Sequence, residues 1–90
     1  MPIADVDPVE LKKFAQMLQL FNQDLEQNTR MLQGQFKNLG ETWKDQKYTK
    51  FAQEFEQLIG VLRKFTQSSE EHIPLLREKA RIVEEYLKTR

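Results

Sequence analysis

Apolar side chains recur three and four residues apart along almost the whole chain, and one short polar stretch interrupts them. The first series runs through Leu11, Phe14, Ala15, Leu18, Phe21, Leu25, Leu32, Phe36 and Leu39, with Asn28 in the one vacant position. That alternation lays a stripe along one face of a helix. The second series runs through Tyr48, Phe51, Ala52, Phe55, Leu58, Ile59, Leu62 and Phe65, then resumes at Ile73, Leu76, Ala80, Val83 and Leu87. Between them lies Leu39-Gly40-Glu41-Thr42-Trp43-Lys44-Asp45, which holds the sole Trp. So short a connection forces two helices to lie antiparallel.

The helix ends carry their own signals. After a short extended lead-in over Met1–Val6, Asp7-Pro8-Val9-Glu10 predicts a start. Asp7 accepts free amide protons, Pro8 suits the first helical position, and Glu10 stands where a capping box places an acid. Gly40, free of a Cβ, predicts a left-handed stop just after Leu39. Thr42 with Asp45 as its capping-box partner, or Asp45 itself, starts the second helix. The chain is thus expected to be one domain, 1–90, with helix 1 over about 8–39, a turn at 40–45 and helix 2 over about 46–88. Pro74 removes a backbone hydrogen bond inside helix 2. The unbroken phase through Ser69, His72 and Leu76 favours a kink there over a separate third helix capped by Ser68 or Ser69.

The apolar stripes are wider than one partner helix needs. Leu18, Leu25, Phe55, Leu58, Leu62 and Phe65 are expected to form the hairpin or dimer seam, and Met17, Leu20 and Met31, to one side, to make extra partner contact. The fold expected is an all-α antiparallel helical hairpin that pairs into a four-helix bundle as a dimer.

Composition supports a partner and argues against other classes. At 90 residues with no Cys, the chain has neither disulfides nor thiolate metal sites to reinforce a small core. Fourteen basic residues balance fourteen acidic ones, so no net field gathers nucleic acid or an anionic membrane surface. No apolar run reaches the roughly 18 residues of a membrane span. No basic segment followed by an apolar one opens the chain, so a Sec-type signal peptide is not expected.

Catalytic and metal chemistry find little to work with. His72 is the only His, with Ser68 and Leu76 one helical turn to either side, so no second ligand shares its face. No Cys and no second His is present to build a nucleophile–base pair. Glu70/Glu71 and Glu84/Glu85 sit on helix faces and read as solvated charges or ion pairs. Lys44, Lys47 and Lys50 lack the interleaved aromatics of a nucleic-acid surface. No catalytic, cofactor or metal site is expected, and the protein is not read as an enzyme.

Trp43-Lys44-Asp45, followed eight residues after the Trp by Phe51 and then by Phe55, resembles the turn of the WxG (ESAT-like) proteins of type VII secretion. The resemblance covers essentially the whole chain as a pattern of length, turn and seam. Asp45 stands where that family usually has Gly, a Trp-x-Asp variant of the turn motif Trp43, Asp45 and Phe51. The family often ends in a Tyr followed four residues on by an acid; here Tyr86 is followed by Arg90. The resemblance implies a homodimer or a pair with a paralogous hairpin, in which one chain's turn lies near its partner's tail. The two together are then read by a secretion ATPase. It implies a substrate, carrier or chaperone subunit secreted without a Sec-type signal, or cytoplasmic before export. The alternative is a cytosolic helical adapter dimer whose Trp43 is purely structural. A membrane-surface helix is a third, disfavoured by the neutral charge.

Overall fold

The computed structural model describes residues 6–89 and comprises two helices joined by a short connection. Helix α1 spans Pro8–Thr42 and α2 spans Gln46–Lys88, 35 and 43 residues. At 1.5 Å per residue they are rods of roughly 52 and 64 Å. The molecule measures 68 × 19 × 14 Å, so the rods lie side by side. The all-α antiparallel hairpin expected from the pattern is the architecture observed. Its radius of gyration is 20.0 Å, against about 12 Å for a compact chain of this length. The lead-in expected over Met1–Val6, apart from Val6, lies outside the described residues, as does Arg90.

Both helices start where the capping residues stand. Asp7 accepts from the Val9 amide at 2.9 Å, with Pro8 in the first turn. Asp45, rather than Thr42, caps α2: its carboxylate accepts from the Lys47 amide at 2.9 Å. Thr42 closes α1 instead, and its hydroxyl donates to the Leu39 carbonyl at 3.2 Å.

Gly40 does not terminate α1. The helix continues through it to Thr42, and among the described residues no glycine has a positive φ. Trp43 ends the helix in an extended conformation, with its amide bonded to the Leu39 carbonyl at 2.9 Å. Glycine at position 40 leaves room for the Tyr48 ring, which would have to shift to admit a larger residue. A Cβ there would lie 2.5 Å from the Tyr48 hydroxyl oxygen. Helix α2 runs unbroken through Pro74, so the separate third helix is not seen.

The seam between the helices is narrow. Its buried apolar residues are Ala15, Ile59, Ile73, Ala80 and Val83. Leu18, Leu25, Phe55 and Leu62 are half-buried beside them. Two fully buried alanines, one from each helix, bring the backbones close towards the open end. Near the middle the seam turns polar: Asn22 donates to the Ser69 hydroxyl at 2.7 Å, and both side chains are buried. Asn28, expected in the seam, is exposed; its neighbour Thr29 is half-buried, and the buried polar residue is Asn22, six positions earlier. At the open end Lys12 meets Glu84 at 2.6 Å and Arg77 donates to Gln19 at 2.6 Å. Both contacts are exposed and contribute little, since water screens them.

The buried Asn22–Ser69 pair generates a prediction. The Asn22 Oδ1 finds no donor among the described residues, so removing Ser69 would leave the whole amide unsatisfied. Ser69→Ala should lower the free energy of unfolding by about 1–3 kcal/mol. Asn22→Leu combined with Ser69→Ala should recover that loss, because two apolar groups then replace the pair. Urea unfolding followed by circular dichroism measures both, and a double variant as weak as the single one would contradict this reading.

Candidate functional site

The hairpin tip gathers five aromatic side chains. Phe36 from the end of α1 stacks on Tyr48 and Phe55, with ring centroids 5.6 and 4.5 Å apart, and lies 5.7 Å from Phe51. Trp43 leans on this group from the connection, 5.5 Å from Tyr48 edge to face and 5.6 Å from Phe51. Each ring contributes both apolar burial and a favourable quadrupole arrangement. The cluster exists because α1 delivers Phe36 one turn before Gly40, and the first turns of α2 deliver Tyr48, Phe51 and Phe55 on one side.

Asp45 ties the Trp to the helix start. One carboxylate oxygen, Oδ1, accepts from the Lys47 amide and from the Trp43 indole Nε1–H, each at 2.9 Å. A glycine in this position offers neither bond. The indole plane is thereby fixed by a charged acceptor on one edge and by Tyr48 and Phe51 on its face. Trp43 is only half-buried; with Lys47, Lys50, Phe51 and Glu54 it lines an open groove at the tip. This arrangement suits recognition of another surface: a rigid aromatic anchor beside two ammonium groups and a carboxylate. The three members of the turn motif, Trp43, Asp45 and Phe51, are brought together here.

The residues assigned to the seam divide between two surfaces. Leu18, Leu25, Phe55 and Leu62 face the space between the helices. Leu58 and Phe65 stand outside it, 50% and 45% exposed. Phe65 meets Phe21 of α1 edge to face at 6.0 Å. Beside it, Phe14, Leu18, Phe65, His72 and Leu76 line an almost wholly apolar depression. The opposite flank is polar, lined by Glu26, Arg30, Arg63, Gln67 and Glu70 among others. The single hairpin therefore has one greasy broad face and one charged one. Met17, Leu20 and Met31 are all exposed, at 68%, 51% and 61%.

Sequence reasoning missed Phe36 and Tyr48 as members of the tip. The available signal was Gly40, eight residues before Tyr48, which marks a close approach as readily as a helix stop.

Chemistry elsewhere is sparse. The His72 ring Nδ1 lies 2.7 Å from the Ser68 carbonyl of its own helix. On the outer surface of α2, Arg81 donates to Glu78 at 2.6 Å, which holds that carboxyl below its ordinary range and raises the guanidinium in turn. Among the described residues no group of three or more His, Cys, Asp or Glu is placed to hold a metal ion, and no helix is long and apolar enough to cross a membrane.

The model of a family described as proteins of 100 residues with WXG, WXG100, matches residues 4–86. No curated protein and no solved structure matches the chain.

The double role of Asp45 is testable. Asp45→Ala removes the cap and the indole acceptor together and should cost about 1–2 kcal/mol of stability, with the Trp43 fluorescence shifted to longer wavelength. Asp45→Asn, whose amide oxygen can still accept both bonds, should keep most of each. Equal loss in the two variants would show that the oxygen acceptor is not what holds the tip.

Proposed function

The chain belongs to the WXG100 family, and on that premise we propose that it acts without catalysis, as a substrate, carrier or chaperone subunit of type VII secretion. Its association with that pathway follows from the family. Proteins of the family are in general non-catalytic, commonly pair as dimers and are exported by type VII systems without a signal peptide. In the proposed form two hairpins stack by their apolar faces into an antiparallel four-helix bundle. Each tip then lies near the other chain's tail, where a secretion ATPase reads both.

The observation that carries this reading is the exposed apolar face. The chain exposes 7270 Å², against about 5,500 Å² for a compact monomer of this mass. Among the described residues sixteen large apolar side chains stay exposed while five apolar residues are buried. A second hairpin laid over Phe14, Phe21, Leu58 and Phe65 covers the part of that surface that lies on one side. Leu18, Leu25, Phe55 and Leu62 then hold the hairpin together, and Met17, Leu20 and Met31 extend its contacts.

A second reading has its own support. Trp43 is hydrogen-bonded by Asp45 and half-buried against Tyr48, as a purely structural residue of a cytosolic adapter would be. Trp43→Ala separates the two. Secretion predicts export lost while the dimer persists in sedimentation; an adapter predicts impaired folding with no export to lose.

Leu58→Asp tests the face itself. Leu58 is half exposed in the lone chain, so the hairpin should keep its helicity by circular dichroism. In the dimer the substitution buries a charge without a partner, so sedimentation equilibrium should show dissociation by more than tenfold, on the order of 2 kcal/mol or above. A dimer as tight as the original would move the interface elsewhere.

A further inference from the structure

Helix α2 carries a second apolar seam, distinct from the one that faces α1. Phe51, Leu58, Phe65, His72, Lys79 and Tyr86 recur every seven residues, and Glu54, Val61, Ser68, Leu75 and Ile82 recur every seven, three residues later. All eleven side chains are exposed. Seven of them are large and apolar: Phe51, Leu58, Val61, Phe65, Leu75, Ile82 and Tyr86. That spacing is the two-position pattern of a helix packing against another helix. Two charged residues interrupt it, Glu54 near the tip and Lys79 towards the tail, and neither makes an ion pair among the described residues. An unpaired charge in an otherwise apolar seam costs stability unless an opposite charge meets it.

We propose that the occupant of this seam is the same seam of a second copy of the chain, running antiparallel, in the register that sets Glu54 against the partner's Lys79. This rests on the dimer proposed above and specifies it: the chain recognises itself. A two-fold axis across the rod stacks the hairpins tip to tail and lays α2 against the partner's α2. In antiparallel helices the two seam positions face each other crosswise. The register that pairs Glu54 with the partner's Lys79 then sets Leu58 against the partner's Leu75, Phe51 against the partner's Ile82, and Phe65 beside the partner's Ser68. Each charge meets its opposite, once towards each end. Between the two charge pairs lie Leu58 against the partner's Leu75, Val61 against the partner's His72 and Phe65 against the partner's Ser68, and Phe51 against the partner's Ile82 lies outside them.

The neighbouring registers fail on the same residues. Sliding one chain by a heptad sets Lys79 against the partner's Lys47 in one direction and against the partner's Val61 in the other. A tip-to-tip stack lays α2 against the partner's α1. There the Phe36–Phe55 stack and the Asn22–Ser69 bond set Glu54 at the height of Lys37 but Lys79 at the height of Lys12, so only one of the two charges meets its opposite. Self-complementary charge is what an isologous interface requires, and opposite charges across it select the partner and fix the register.

Charge exchange tests the assignment. The purified full chain is followed by sedimentation equilibrium at low salt, with helicity monitored by circular dichroism. The original chain is expected to be a dimer. Glu54→Lys and Lys79→Glu should each raise the dimer Kd on the order of tenfold by placing like charges together at both ends. The double variant E54K/K79E should restore it. An equimolar mixture of the two single variants should also associate, because each supplies the charge the other lacks. Glu56→Lys, the same change of charge on the other flank of α2, should leave Kd unchanged and so control for net charge. Single variants as tight as the original, or a double variant as weak as the singles, would overturn the register while leaving a dimer in place. A monomeric original chain would overturn the dimer itself, and this inference with it.

Discussion

Two long helices lying side by side bury only one stripe of each, and the remaining organisation of this molecule follows from that limit. The buried seam is built from small residues, Ala15 and Ala80, from three β-branched ones, Ile59, Ile73 and Val83, and from a polar pair, Asn22 and Ser69. Most of the large aliphatic and aromatic side chains lie outside it. A hydrophobic surface exposed on this scale marks an interaction face. The polar middle of the seam adds a constraint of another kind. A single buried, hydrogen-bonded pair penalises any slip of one helix along the other, because a shift would strand both groups. The hairpin is thus held in register by Asn22 and Ser69 at its centre and by the aromatic cluster at its tip.

The tip shows how local chemistry serves the larger architecture. Asp45 caps α2 and fixes the indole with the same oxygen, so the signal that begins the second helix also orients the side chain most suited to recognition. Gly40 lets Tyr48 approach α1, which in turn supports Trp43 from below. A family usually defined by glycine at the third turn position is here represented by aspartate. The substitution converts a bare backbone turn into a charged anchor.

Much of this was legible in the residues. Asp7-Pro8 and Asp45 announced the helix starts, the short connection dictated antiparallel packing, and Trp43-Lys44-Asp45 with Phe51 pointed to the family. What escaped had physical reasons. The three-and-four spacing of Leu11, Phe14, Ala15, Leu18 and Phe21 reads as one broad stripe, although Phe14 and Phe21 project to the outer face while Ala15 and Leu18 turn inward. Adjacent faces of a helix share that spacing, and only the position of the neighbouring helix separates them. Asn22 does not stand out in the apolar series, because polarity alone does not reveal a buried partner 47 positions away. Gly40 was read as a conformational signal when its role is steric. Leu39 and Gly40 remain helical because Thr42 and Trp43 supply the closing bonds to the Leu39 carbonyl.

We propose that this hairpin covers its broad apolar face with a second copy in water. The most direct test is the molar mass of the purified chain by multi-angle light scattering across a dilution series. A mass twice that of one chain, falling to the monomer only on dilution and with loss of stability, is the result expected. A single chain that stays monomeric, fully helical and stable at every concentration would contradict it.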